Sequence, residues 1–330
     1  MLQTPLAGDS KKMRYTRYKS NMVTKNIERH SDFDLAMNIT RRCNRDCGFC
    51  YLENKNGELP YEKVIDILNL TNAGILTLTG GEPLIRADIF DIIQTARNLG
   101  YDVNLLSNGD LLTTDVAKQL KKFDVAVYVS YNGDPKVLDN IRAAVREGLN
   151  ITTQTILTKE TLENKVDKFL SDLSILNKNL FLYPTSLGDS NLKVICAEEW
   201  YGMLDTLMEK SKNCPQKIYF EPAFAEKNTP NIEQLICPSG KNIFVDTDGK
   251  SYPCCLSVNS FPGCDGIKPV KVSPQNCKSC GGGCPVYNKE YGHDPRCDSD
   301  YVPICPLYVS DKLGAEIIMP NALGHNKNVV

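Results

Sequence analysis

The sequence predicts an α/β protein: a partial (β/α)6, TIM-like barrel followed by a small cysteine-rich, metal-dependent domain. Three observations predict it. Strand-like runs alternate with helical patterns from residue 34 to about 213, the order that builds a parallel sheet with helices packed outside it. Cys, Gly, Ser and Asn residues gather where those runs end, the end of a parallel barrel at which functional groups collect. From residue 214 the periodicity fades, and ten cysteines mixed with Gly and Pro take over. The expected division is a basic lead-in over 1–33, the barrel over 34–213, the cysteine-rich domain over 214–310 and a tail over 311–330.

The lead-in carries Lys11, Lys12, Arg14, Arg17, Lys19, Lys25 and Arg29. It reads as a solvated tail, a strap over the barrel, or a docking element for an acidic peptide. DLAMNIT (34–40) is the first strand, and YEKVIDILNLTNA is the first helix. ILTLTGG and ADIFDIIQTARNLG form the second unit, DVNLLSNG and TTDVAKQLKKF the third, DVAVYVSYNG and NIRAAVREGLN the fourth. ITTQTILTK with TLENKVDKFLSDLSILNK, then NLFLYPTS, complete six units.

Composition excludes several classes. Across 330 residues, 38 basic and 40 acidic side chains leave no charge bias, so neither nucleic acid nor a membrane surface is an expected partner. No apolar run is long enough to span a bilayer, and the N-terminus lacks a secretory h-region. A cytoplasmic location is expected. There, the 14 cysteines read as metal ligands rather than disulfides.

Cys43, Cys47 and Cys50 form a CxxxCxxC triplet just after the first strand. Three thiolates can hold three irons of a [4Fe–4S] cube and leave the fourth open to an outside ligand; the same spacing also suits part of a zinc site or three unrelated thiols. The second strand ends in Gly80, Gly81, Glu82 and Pro83. Two glycines let backbone approach a ligand closely, and Pro83 ends the ladder.

These motifs, with Phe49 just before the last cysteine, resemble the radical S-adenosylmethionine (radical SAM) superfamily. The resemblance implies that the open iron chelates the amino and carboxylate groups of SAM, that the GGEP backbone holds the same amino group, and that reduction yields a 5′-deoxyadenosyl radical. It extends to Ser107, Asn108, Ser130 and Asn132 at later strand ends as residues near the SAM ribose and carboxylate, although such residues also favour ordinary turns.

The cysteine-rich part resembles the SPASM extension of that superfamily, which carries auxiliary iron–sulfur clusters. Its opening element matches Cys237, eleven residues, Gly249, four residues and Cys254, with VDTDG as a hairpin turn between NIFV and KSYP. Cys277, Cys280, Cys284, Cys297 and Cys305 follow, but the spacing after Cys280 departs from the family pattern and leaves one ligand unassigned. One allocation groups Cys237, Cys254 and Cys284 with Cys214, Cys255 or Cys264, and leaves Cys277, Cys280, Cys297 and Cys305 for a second cluster. One cluster plus a zinc also satisfies the count. The fold of this part is expected to depend on its metal.

The function implied is hydrogen-atom abstraction from a peptide or protein substrate, leading to a crosslink, thioether, epimerisation or oxidation, with a ferredoxin or flavodoxin as electron donor. Alternatives are a small-molecule radical dehydrogenase or epimerase, and a non-catalytic cluster scaffold. Cys196 and Cys214 bracket AEEWYGMLDTLMEKSKN and are candidate hydrogen donors, or buried structural thiols. Asp189 and Glu221 lie near late strand ends and read as solvated carboxylates.

Overall fold

A computed structural model describes residues 30–176, 178–184, 193–214, 217–220, 223–226, 239–240, 242–272, 284–291, 294–296 and 301–303. Seven strands run in chain order: β1 (His30–Thr40), β2 (Ala73–Gly80), β3 (Asp102–Ser107), β4 (Ala126–Ser130), β5 (Asn150–Ile156), β6 (Lys178–Leu182) and β7 (Lys217–Phe220). Each pairs in parallel with the next. Between them lie α1 (Tyr61–Leu70), α2 (Ile89–Asn98), α3 (Thr114–Lys122), α4 (Pro135–Arg146), α5 (Lys159–Asn164), α6 (Val166–Asp172) and α7 (Ala197–Ser211). The helices start where the chain supplies caps: Thr113 and Thr158 accept from Val116 and Thr161 N–H, and Asp134 accepts from Lys136 N–H ahead of Pro135.

The expected barrel is present, with two differences. Residues 30–33 of the expected lead-in belong to β1. β7 lies beyond residue 213, so the expected boundary falls inside a β6–α7–β7 unit. KIYF gives little periodic signal in four residues; its pairing with β6 across an intervening helix is a tertiary fact.

Beyond β7 come β8 (Phe224–Glu226), β9 (Ile243–Val245), β10 (Ser251–Tyr252), α8 (Pro285–Tyr291) and β11 (Tyr301–Pro303). The VDTDG hairpin forms as expected, with Val245 opposite Ser251 and Phe244 opposite Tyr252. The sequence gives no sign of where it docks. β9 pairs in parallel with β1, Ala36 opposite Phe244, so a segment some 208 positions away extends the barrel sheet at its first strand.

Parallel sheets covered on both faces read as near-continuous apolar runs. Here the strands alternate instead. Leu76, Leu78, Val103, Leu105, Val127, Val129 and Ile151 are buried in one core with α1–α4. Their neighbours Thr77, Thr79, Asn104, Tyr128, Ser130, Thr152 and Gln154 are only partly buried. Strand side chains alternate between faces, so these residues form an open concave face together with Ile75, Leu106 and Ile156, and the charged members of that face are Asp34, Asp102 and Lys178. A second core gathers Trp200, Leu204, Leu207, Phe181 and Phe224 around α7. No helix among the described residues is long and apolar enough to cross a membrane.

Candidate active site

The loop after β1 carries Cys43, Cys47 and Cys50, all partly exposed. Cys50 N–H donates to the Cys47 carbonyl at 3.0 Å, closing a turn that contains Phe49. Burial first, then the charges of Cys43 and Cys50, push the Cys47 thiol up, and Arg45 and Lys55 oppose this. Two donors point at the first sulfur. Arg45 N–H lies 3.4 Å and Asn108 Nδ2 3.8 Å from Cys43 Sγ.

Arg45 sets the loop against the ends of β3 and β4. Its Nε and Nη2 donate to both oxygens of Asp110 at 2.6 Å, and Nη2 donates to Asp134 at 2.9 Å. Asn44 Nδ2 donates to Asp110 at 2.9 Å and its Oδ1 accepts from Asn108 Nδ2 at 2.8 Å. Hydrogen bonds from Arg45 hold the Asp110 carboxyl below its ordinary range. A depressed carboxylate contributes stability that is present above the unfolded-state pKa and lost as pH falls through the folded one. Asp110→Asn in the apoprotein is therefore expected to cost about 2 kcal/mol at neutral pH, with the difference in thermal midpoint from wild type shrinking on acidification below the usual carboxylate range.

The GGEP turn meets the start of the cysteine loop. Gly81 N–H donates to Thr40 carbonyl and Glu82 N–H to Arg42 carbonyl, both at 2.8 Å. A Cβ at Gly80 would overlap the Thr40 carbonyl oxygen, and one at Gly81 the Arg41 and Arg42 carbonyl oxygens. The close approach made by these glycines is thus to the chain entering Cys43. The Glu82 and Pro83 carbonyls accept from Ile85 and Arg86 N–H at 3.1 Å each, so a cationic ligand at this turn would be met by the carbonyls of Gly80 and Gly81.

Glu82 faces inward and is fully buried. Its carboxylate accepts from Leu84 N–H at 3.0 Å, Ser107 Oγ at 3.0 Å and Asn108 N–H at 2.7 Å. Burial raises its pKa and these bonds oppose the rise. It joins the end of β2 to the end of β3. Pro83 is buried at the start of a 3-10 turn over Pro83–Ile85. Arg86, which the sequence reading missed, is buried and donates to Ile39 and Leu59 carbonyls at 2.7 Å each.

The structure brings Cys43, Cys47, Cys50, Gly80, Gly81, Glu82, Ser107 and Asn108 to one end of the sheet. Ser130 and Asn132 sit at the same end of β4, Ser130 on the concave face and Asn132 exposed. Cys196 is exposed at the N-cap of α7. Cys214 follows α7 and precedes the start of β7, which places it at the opposite end of the strands from the cysteine loop. It packs against the second core. Cys254, Cys255, Cys264 and Cys284 are described and partly exposed. Cys237, Cys277, Cys280, Cys297 and Cys305, with Asp189, Glu221, the lead-in through residue 29 and the tail, lie outside the described residues.

Residues 37–173, from β1 to just past α6, match the sequence model of the Radical SAM superfamily. The chain contains a radical SAM domain. It is 26% identical to a probable GTP 3',8-cyclase of Saccharolobus islandicus, across 67% of this chain and 82% of that one. It is 24% identical to the probable GTP 3',8-cyclase of Sulfurisphaera tokodaii, across 67% and 80%. Among solved structures it is similar to Streptococcus suis SuiB bound to precursor peptide SuiA, with a TM-score of 0.68 at 15% identity, over 83% of this chain and 78% of that one. It is also similar to anSMEcpe with bound AdoMet and the Cp18Cys peptide, with a TM-score of 0.56 at 17% identity, over 85% and 94%. At these identities the structural likeness is one of fold.

A radical SAM domain takes a [4Fe–4S] cluster and SAM, and the donor set fits them. Three partly exposed thiols share one short loop, and two N–H groups lie near Cys43 Sγ. Among the described residues no three His, Cys, Asp or Glu side chains converge on a single metal ion; a cube spreads its ligands over separate irons.

Proposed function

We propose that this radical SAM enzyme modifies a peptide or protein, and that Cys43, Cys47 and Cys50 hold its SAM-binding cluster. When bound, cluster and SAM supply a 5′-deoxyadenosyl radical on one-electron reduction. The chain's own residues orient both partners and exclude water. Carbonyls of Gly80 and Gly81 would accept from the SAM ammonium, Asn108, Ser130 and Asn132 would stand on the cofactor side, and Ser107 backs that side through its bond to Glu82. A ferredoxin or flavodoxin supplies the electron. The cysteine-rich segment is a SPASM-type extension, with Cys237, Cys254, Cys284 and one of Cys214, Cys255 or Cys264 ligating one auxiliary cluster and Cys277, Cys280, Cys297 and Cys305 a second.

The observation that carries the peptide reading is the run of neutral polar side chains on the concave face, whose charged members are Asp34, Asp102 and Lys178. Thr77, Asn104, Tyr128, Thr152 and Gln154 offer neutral donors and acceptors, which suit backbone amides. A desolvated triphosphate instead needs cationic partners. The guanidinium groups near this end of the sheet already have carboxylates: Arg41 pairs with Asp246, Arg42 with Glu58, Arg45 with Asp110 and Asp134, and Arg86 with Asp88. The fold shared with peptide-bound SuiB supports the same reading.

A small-molecule reading has one observation in its favour, the sequence identity to probable GTP cyclases. Anaerobic assays separate the two. With SAM and reductant, GTP is expected to leave 5′-deoxyadenosine formation at the uncoupled rate, and a peptide encoded beside the enzyme in its native source to raise it. Stimulation by GTP with a cyclised nucleotide product, and none by any such peptide, would overturn the proposal.

A further inference from the structure

Both ends of the cysteine loop refer to a single buried carboxylate in the C-terminal segment. Asp246 is 1% exposed. Its Oδ1 accepts from Asn38 Nδ2 at 2.9 Å and Arg41 Nε at 3.4 Å, and its Oδ2 accepts from Arg41 Nη2. Arg41 stands two residues before Cys43. Tyr51, the residue after Cys50, donates its hydroxyl to Asn38 Oδ1 at 3.3 Å, so it reaches the same carboxylate through one amide.

A second tie holds Tyr51 from its other side. Asn259 Nδ2 donates to the Tyr51 carbonyl at 2.7 Å. Between these ties lies an apolar contact: Phe244, Tyr252 and Val258 pack with Leu52, and Cys50, Tyr51 and Cys255 pack against them. The hairpin bearing Asp246 is itself closed by Asp246 N–H to Lys250 carbonyl at 3.2 Å and Gly249 N–H to Asp246 carbonyl at 2.9 Å. A buried carboxylate needs such partners, and losing one leaves the others unsatisfied.

We infer that Asp246 and Asn259 are positioning residues for the cluster loop, acting through Arg41 and Tyr51, so that the segment from 246 to 259 splints the site that takes the first cluster. Cys254 lies within that splint, so the cysteine-rich segment acts on Cys50 through protein contacts. The role in chemistry rests on the cluster reading of Cys43, Cys47 and Cys50; the splint itself does not.

The test uses the full chain. Hydrogen exchange is followed in the apoprotein, and electron paramagnetic resonance in the reduced, reconstituted enzyme, with the spectrum of the Cys43→Ala, Cys47→Ala, Cys50→Ala variant subtracted to isolate the first cluster. Asp246→Asn and Asn259→Ala are each expected to speed exchange in residues 43–52 by about tenfold, the factor that loss of one strong hydrogen bond gives, with β3 and β4 unchanged. Tyr51→Phe, which removes one hydroxyl and keeps the packing, is expected to speed the same amides by a smaller factor. Combined with Asp246→Asn, it adds less than it does alone. The resonance signal shifts in the same variants. Loop exchange equal to wild type in Asn259→Ala and Tyr51→Phe, or acceleration spread evenly over the barrel, would overturn the inference. Absence of any cluster signal with the exchange pattern intact would instead sink the cluster reading alone.

Discussion

Replacing Cys43, Cys47 and Cys50 together by alanine is expected to abolish 5′-deoxyadenosine formation while the protein still binds substantial iron after anaerobic reconstitution. The loop supplies the three thiols that fit an open-iron cube, and other cysteines remain in the C-terminal part to hold metal. Arg45, Asn44 and Asn108 make their bonds through side chains the substitutions leave in place, so the loop is expected to keep its position. The measurement is iron per chain beside SAM cleavage, wild type against triple variant. Cleavage that survives the substitution would refute the ligand assignment. No cleavage in the wild type, with zinc in place of iron, would leave a metal-stapled barrel.

Gly80→Ala is expected to be the most damaging single substitution in the barrel. Gly80 has φ +134°, a backbone region in which L side chains are strained. Its new Cβ would overlap the Thr40 carbonyl oxygen, which is backbone and already accepts from Gly81 N–H. Relief requires β1 and β2 to separate where the chain turns into Cys43. A cost of about 3 kcal/mol or more follows, a drop in thermal midpoint of roughly 6–12 °C for a domain of this size. The iron bound at the loop falls with it. Gly202→Ala is the control: nothing lies within 4 Å of the added atom. In the interior of α7 it is expected to be neutral or stabilising by up to about 1 kcal/mol. Equal loss in both variants would mean that the Gly80 overlap is not the cause.

The alternation of strand and helix, the cysteine spacing and the GGEP turn were legible because each is local. Periodicity reports which face a residue occupies in its own element, and turn residues report φ directly, so six strands and the VDTDG hairpin could be placed without coordinates. The concave face was also written in the strands, as the polar partners in LTLT, VNLLS and ITTQT. Its meaning required knowing that helices cover only the other face. β7 was not legible, since four residues carry too little pattern.

Other features depend on partners far apart in sequence. Glu82 could have faced a ligand; tertiary contacts with Ser107 and Asn108 turn it inward. Gly80 and Gly81 could have made room for a ligand, and instead make room for the backbone at Thr40 to Arg42. The docking of β9 on β1, and with it the pairing of Asp246 with Arg41 and Asn38, depends on an edge that exists only once the sheet has formed. The sequence by itself determined the order of elements and the residues able to ligate a cluster, because propensity and spacing act within a few residues. The tertiary structure alone decided which of those residues serve the ligand and which serve each other, because a buried carboxylate or a close backbone contact is fixed by whichever distant groups the fold brings within hydrogen-bond reach.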